Sequence, residues 1–232
     1  MPEMPLPETH ILSVSSFQSL ISTTFSGNIN AMCWSRQLNG DFSEIISKIN
    51  SNENIVVLDE EELITFQLSE AGQLAREILL NDLKLLTDYG ASPIINVITN
   101  YDRDEEYSFF PTDVYSFHVD RSPVPFDTFL CTYHGASSDI LPNDQAIQKV
   151  LIPEIRAQLK KLHNGPEAEF EEFLIDNFFD LHYEPKPHAR PVNLGLGNIW
   201  RLAIDHPESP VPPCIHRAPK EHDGEKRLMM IC

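Results

Sequence analysis

Basic residues are scarce in this 232-residue sequence, which has 17 Lys and Arg against 35 Asp and Glu and a formal net charge of −18. A surface of that sign repels nucleic-acid phosphates and anionic lipids, so we expect no nucleic-acid partner and no membrane partner. No run of 18 or more apolar residues occurs, which excludes a predicted transmembrane helix. A small anionic ligand is still compatible with the charge, because a local arginine pocket can hold it.

Cysteine is also rare, and the four residues Cys33, Cys131, Cys214 and Cys232 are far apart and form no C-x-x-C pair. This spacing argues against a disulfide framework and against a zinc ribbon, so a reducing cytoplasm is the predicted compartment. The N-terminal stretch MPEMPLPETHILSV has neither the basic n-region nor the apolar h-region of a signal peptide.

The order of predicted elements indicates an α+β protein with a mainly β core. Regular βαβ alternation is missing, so a doubly wound sheet is not expected. We predict one domain over residues 1–232 with an antiparallel barrel or sandwich core. Its predicted segments are helical and strand support at 1–91, the first half of the core at 92–135, a helical insert at 143–181 and the second half of the core at 193–232.

A His-x-Asp pair, His118 and Asp120, lies in the predicted strand VYSFHVD. Side chains two residues apart in a strand point to the same face, so both would enter one cavity. An imidazole and a carboxylate suit a divalent metal such as Fe(II), Mn(II) or Zn(II), but the pair alone equally fits a hydrogen-bonded surface pair. His216, in PPCIHRAP, is the favoured third ligand. Arg227, eleven residues later, can form a bidentate pair with a carboxylate.

The order His-x-Asp, long gap, His, Arg resembles the Fe(II)/2-oxoglutarate-dependent oxygenases. These enzymes have a double-stranded β-helix core, which is a jelly-roll or cupin-like barrel. The likeness covers roughly residues 92–135 and 193–232. It implies that His118, Asp120 and His216 are catalytic metal ligands, and that Arg227 binds the distal carboxylate of 2-oxoglutarate.

The same resemblance assigns Asn96 and Tyr101, in the strand pattern before the His-x-Asp pair, to cofactor binding. Tyr133 is a further cofactor-binding candidate, although a packed tyrosine is the commoner case. Arg217 and Arg201 are alternatives to the favoured arginine. Arg217 is adjacent to a proposed ligand and would point to the opposite face of a strand. Arg201 lies in the preceding strand, where pocket and structural roles are equally expected.

The resemblance implies an enzyme, a dioxygenase that uses Fe(II), 2-oxoglutarate and O2 to oxidise an unactivated C–H bond of a small molecule, releasing succinate and CO2. Hydroxylation, desaturation or cyclisation is favoured over halogenation because the carboxylate of Asp120 is present. An amino acid or a natural-product intermediate is the expected substrate class.

Two alternatives stay open. One is a metal-dependent enzyme on the same barrel without 2-oxoglutarate, such as an iron oxidase or a zinc or manganese isomerase or hydrolase. The other is a non-catalytic metal-binding protein. The predicted helices at 69–90 and 143–181 are candidates for a lid or for the face of a homodimer.

Overall fold

A computed structural model of the protein describes residues 10–104, 106–220 and 224–232. Residues 1–9, which hold most of the N-terminal stretch compared above with a signal peptide, lie outside these ranges. Within them the chain is a mixed α/β protein built on two large β-sheets.

Short strands dominate the described ranges. The strands are β1 (Ile11–Val14), β2 (Ala31–Trp34), β3 (Ile55–Leu58), β4 (Ile94–Ile98), β5 (Phe117–His118), β6 (Thr128–His134), β7 (Asp139–Leu141), β8 (Ala146–Gln148), β9 (His182–Pro185), β10 (Val192–Asn193), β11 (Ile199–Leu202), β12 (Ile215–Arg217) and β13 (Arg227–Ile231). The helices are α1 (Phe17–Ser22), α2 (Phe42–Ser47), α3 (Glu60–Thr65), α4 (Glu70–Tyr89), α5 (Pro153–His163) and α6 (Phe170–Asp176). None of the helices in this part of the chain is long and apolar enough to cross a membrane.

Among the eight strands β4–β7 and β10–β13, the chain passes to the other sheet after each strand except β7, since β7 and β10 both lie in the smaller sheet. The larger sheet has the order β1-β2-β11-β6-β13-β4-β3, and the smaller has the order β10-β7-β12-β5-β9-β8. All contacts among β11, β6, β13 and β4 are antiparallel, as are those among β10, β7, β12 and β5. The predicted N-terminal support therefore includes strands β1, β2 and β3, which extend both edges of the larger sheet.

A hydrophobic cluster joins the facing surfaces of the two sheets. It includes Ile98, Leu130 and Met229 from the larger sheet, and Ile140 from the smaller sheet with Cys214 just before β12. We call these facing surfaces the inner faces. The opposite face of the larger sheet is covered by helices, so residues of the central strands β2, β11, β6 and β13 alternate between two cores.

Helix α4 matches the predicted helix at 69–90. The Ser69 hydroxyl accepts the amide N–H of Gly72 and caps the first turn, and Gly90, with φ +98°, ends the helix in the left-handed conformation. Its Leu79, Leu83 and Leu86 are buried against the larger sheet. The leucine stripe is thus core packing, which was the favoured interpretation of its spacing.

The segment predicted as a helical insert, 143–181, contains strand as well as helix. Strand β8 precedes α5, and β9 follows the second helix and pairs with β5. Helix α5 begins at Pro153, because proline has no amide N–H to donate and fits the first helical turn. The prediction of continuous helix before Pro153 is therefore wrong. Strand β9 begins at His182, and its pairing with β5 places His182 opposite His118 in the smaller sheet.

A buried ion pair fastens the helical layer to the larger sheet. The guanidinium of Arg36 donates two hydrogen bonds of 2.7 Å to the carboxylate of Asp82 in α4. Arg36 also donates to the carbonyl of Gly197, and the Tyr133 hydroxyl donates to Asp82 at 2.9 Å. The Asp82 side chain is fully buried, so removing it leaves a buried guanidinium without its counter-charge.

We expect Asp82→Ala to lower the free energy of unfolding by about 3–5 kcal/mol, because breaking one side of a buried pair leaves the other charge uncompensated. The measurement is a urea unfolding curve with the slope held in common between variants. Asp88→Ala is the matched control on the same helix, since its pair with Lys84 is largely exposed and should contribute about 0.5 kcal/mol or less. Equal losses for the two variants would contradict this account.

Candidate metal centre

The smaller sheet places two histidines side by side on its inner face. His118 in β5 is directly opposite His216 in β12, and the centroids of the two rings are 4.5 Å apart. Phe117, next to His118 in the strand, is buried on the other face of the sheet, as is Val119. The alternation predicted for SFHVD is therefore observed, with the apolar residues and the histidine on opposite faces.

Asp120 completes a cluster with these two histidines. One ligand atom from each of His118, Asp120 and His216 lies within 4.8 Å of the others. The closest approach is 3.6 Å, between Nε2 of His216 and Oδ2 of Asp120. The backbone helps to fix this position, because the carbonyl of Asp120 accepts the amide N–H of Asp205 at 2.7 Å.

Both imidazoles are oriented by backbone carbonyls. Nδ1 of His118 is 2.8 Å from the carbonyl of Ser116, and Nδ1 of His216 is 3.2 Å from the carbonyl of Cys214. A carbonyl can only accept, so Nδ1 carries the hydrogen and Nε2 keeps a lone pair for a metal. Burial, together with the charge of His216, lowers the pKa of His118 to about 4, which keeps this ring neutral at physiological pH.

The carboxylate of Asp120 is charged. Burial by itself would raise its pKa, but the charge of His216 and a hydrogen bond from Thr128 outweigh burial, so the pKa lies below its ordinary value. Cys214 is buried beside this cluster, and burial raises the pKa of its thiol well above the usual range. The thiol is not part of the group of ligand atoms that lie within 4.8 Å of one another, so the donor set of this cluster is two nitrogens and one carboxylate oxygen.

Thr128 orients the carboxylate, since its hydroxyl donates to Oδ2 of Asp120 at 2.5 Å. We expect Thr128→Val to lower the affinity for a divalent metal by about 10–100-fold, because such supporting hydrogen bonds orient the ligand. Thr132→Val is the matched control, as its buried hydroxyl has no partner in the described part of the chain. Metal titration of both variants measures the difference, and equal affinities for the two would contradict the assigned role of Thr128.

Arg227, the first residue of β13, also lies on an inner face. It is opposite Ile98 in β4, and Met229, two residues on, belongs to the inner cluster. The side chain is 8% exposed, and its Nη2 donates to the hydroxyl of Ser138 at 3.3 Å. The phenol of Tyr101 also hydrogen-bonds the guanidinium.

In the described part of the chain, the guanidinium of Arg227 has no anionic partner. Among the described residues, no carboxylate oxygen lies within 4.0 Å of it, and its Nε is buried without a hydrogen-bond partner. Burial lowers the pKa of Arg227, against a smaller opposite effect of Tyr101. A buried cation with an unused donor is costly unless a ligand supplies the counter-charge. The residues present thus fit a carboxylate ligand at this position.

The other cofactor-binding candidates divide between the two sides of the larger sheet. Tyr101 lies at the arginine, and both line a small cavity with Tyr115. Asn96 is opposite Met229 and so shares the inner face. Tyr133 does not: its ring stacks on Phe42 in the helix-side core. The assignment of Tyr133 to cofactor binding is therefore wrong, because strand alternation turns it away from the centre.

The two alternative arginines are both engaged elsewhere. Arg201 pairs with Asp127 at 2.7 Å and donates to three backbone carbonyls on the helix side of the larger sheet. Arg217 pairs with Asp139 at 3.0 Å and lies over the ring of Phe117, on the outer face of the smaller sheet. Neither side chain has the unmet donor of Arg227.

Several polar residues near the centre were not predicted from the sequence. Thr128 and Thr132 could have been found, because they follow the same two-residue period in β6 as the inner-face Leu130. Ser138 follows a turn whose path no sequence signal specifies. His182 is 4% exposed, and its ring lies 5.9 Å from that of His118. It directly follows the predicted helical insert at 143–181, so no strand beside His118 was expected there.

No known protein family matches the sequence, and no curated protein matches it. Among solved structures, one that is similar is the dioxygenase for auxin oxidation 1 from Arabidopsis thaliana in complex with 2-oxoglutarate. The sequence identity is 10%, the TM-score is 0.31, and the match covers 76% of this chain and 60% of that chain. A TM-score this low carries no argument about the function of this protein.

Proposed function

We propose that the protein is an Fe(II)/2-oxoglutarate-dependent oxygenase that acts on a small molecule. The observation that carries this proposal is the pairing of two features on the inner faces, the His118, Asp120 and His216 cluster and the anion-deficient Arg227. Two imidazoles and one carboxylate on one side of a metal leave adjacent positions open for other ligands. A buried guanidinium without a carboxylate partner among the described residues is suited to bind the distal carboxylate of 2-oxoglutarate.

The strand order supports the same proposal. Two antiparallel four-stranded layers, with the chain crossing between them, are the arrangement of a double-stranded β-helix. In this arrangement His118 would come from β5, Asp120 from just after β5 and His216 from β12, and β13 would supply the arginine from the other sheet. We propose this barrel as the fold of residues 92–135 and 193–232, within a single domain.

The residues of the chain would have separate tasks in the reaction. When bound, Fe(II) and 2-oxoglutarate supply the oxidising chemistry, with O2 as oxidant and succinate and CO2 as products. His118 and His216 would hold the metal through Nε2, and Asp120 through its carboxylate. Arg227 and Tyr101 would fix the distal carboxylate of 2-oxoglutarate by charge-assisted hydrogen bonds.

A cavity beside Asp120 is the proposed approach for the substrate. It has a volume of about 650 Å³, and its walls include Phe126, Val124 and Ile204 as well as Asp120 and Thr128. A volume of this size suits a metabolite-sized ligand. Substrates with an apolar portion therefore fit best, and an amino acid or natural-product intermediate stays within that class.

The test is succinate formation from 2-oxoglutarate by the purified protein under air, with Fe(II) and without a primary substrate. Slow release of succinate that requires Fe(II) is expected, and addition of the correct substrate should accelerate it. Absence of succinate from a protein that binds Fe(II) tightly would overturn the proposal and favour an enzyme that does not use 2-oxoglutarate.

A further inference from the structure

A second cavity lies on the outer face of the smaller sheet, turned away from the metal centre. It has a volume of about 560 Å³. Four basic side chains line it, namely Arg103, Lys149, Arg217 and Lys220. We call it the cationic cavity. It gathers four of the 17 basic residues of a chain whose net charge is −18, which makes it an exception on an acidic surface.

Lys149 forms the base of the cationic cavity. Its side chain is 7% exposed, and its Nζ donates to the hydroxyl of Ser116 at 2.6 Å and to the carbonyl of Pro111 at 3.4 Å. An ammonium group has three donors, so one donor is left over. Within the described residues, no carboxylate oxygen is within 4.0 Å of Nζ, although Asp113 and Glu184 also line the cavity.

The remaining lining residues complete a site for an anion with an aromatic wall. Arg103 is exposed at the rim, and its guanidinium carbon lies 3.4 Å from the ring centroid of Tyr115. Tyr183 lines the same cavity. Asp113, whose oxygens accept the backbone amides of Tyr115 and Asp104, and Glu184 offset part of the positive charge. Burial lowers the pKa of Lys149, an effect that a bound anion would oppose.

We propose that the cationic cavity is a second ligand site, which binds a small molecule through a phosphate or carboxylate group. Lys149 would contact the oxyanion at the base, Arg103 would contact it at the rim, and the tyrosines would flank the rest of the molecule. The inference does not depend on the proposed oxygenase function, because Lys149 and Arg103 line neither the metal centre nor the small cavity at Arg227, although Tyr115 and Lys220 border both cavities.

The experiment is isothermal titration of the full chain with inorganic phosphate, pyrophosphate and succinate, each at constant ionic strength and without Fe(II) or 2-oxoglutarate. At least one probe should bind saturably, with a stoichiometry of one. A preference for pyrophosphate assigns a phosphate ligand, and a preference for succinate assigns a carboxylate ligand. Arg103→Gln and Lys149→Gln should each weaken binding by about 10-fold or more, since each removes a hydrogen bond to a charged group.

Lys84→Gln is the matched control, because it removes one charge from an exposed position on α4. It should bind the probes as the unaltered protein does. Arg103 is exposed, so its variant tests the site even where loss of the buried Lys149 impairs folding. The proposal is overturned if no probe binds saturably, if both cavity variants bind normally, or if Lys84→Gln weakens binding equally. Because Arg227 also fits a carboxylate, succinate binding is assigned to the cationic cavity only where Arg103→Gln or Lys149→Gln weakens it.

Discussion

Replacing His216 with alanine should weaken Fe(II) binding by more than about 100-fold and abolish succinate formation. The reason is that His216 would supply one of the three proposed protein ligands, and loss of even a supporting hydrogen bond to a ligand costs about 10–100-fold. His118→Ala and Asp120→Ala should behave alike, because the three side chains act on one ion. Anaerobic Fe(II) titration and a succinate assay measure the two effects.

His188→Asn is the control for this series. His188 is exposed and has φ +70°, a conformation that asparagine tolerates, so the exchange removes an imidazole without straining the backbone. It should leave Fe(II) affinity unchanged. Urea unfolding of each variant separates loss of metal from loss of fold. Tight Fe(II) binding by a folded His216→Ala protein would show that the metal centre is elsewhere.

Arg227→Met should raise the concentration of 2-oxoglutarate needed for half-saturation by about 100-fold, with Fe(II) affinity unchanged. Truncating one member of a buried, hydrogen-bonded charge pair typically costs about 2–5 kcal/mol. The split between the two affinities identifies a cosubstrate contact, since a general loss of structure would weaken both.

A ligand that lacks the distal carboxylate makes this test specific. The unaltered protein should bind 2-oxoglutarate far more tightly than 2-oxovalerate, and Arg227→Met should largely remove that preference. Arg217→Met is the control, because Arg217 is paired with Asp139 on the outer face. It should keep the preference. If Arg217→Met loses the preference and Arg227→Met keeps it, the carboxylate is bound at a different place.

The candidate metal centre was predictable from sequence because its parts have strong local signals. His-x-Asp in a strand implies a shared face, and His216 follows a recognisable strand pattern before Arg227. The structure brings the first three together and places Arg227 on the facing sheet. The sequence could not show which of Arg227, Arg217 and Arg201 is placed to bind the carboxylate. The answer depends on which guanidinium lacks a partner, and that is a property of tertiary contacts.

The face of β6 on which Tyr133 lies could not be predicted from the sequence. The seven-residue strand β6 is buried on both faces, so its sequence does not show which face points to the metal centre. The prediction of helix at the start of 143–181 was wrong for a related reason, because short apolar runs such as AIQ in β8 are compatible with helix or strand. The segment is a strand because it pairs with β9, and this long-range contact cannot be inferred from the local sequence.

The most direct test of the central claim is the visible spectrum of the protein with Fe(II) and 2-oxoglutarate under anaerobic conditions. The account predicts a weak charge-transfer band that appears only when both are present. The band should be absent from His216→Ala, and it should require much more 2-oxoglutarate in Arg227→Met. A protein that binds Fe(II) but develops no band at saturating 2-oxoglutarate would contradict the assignment of 2-oxoglutarate to this centre.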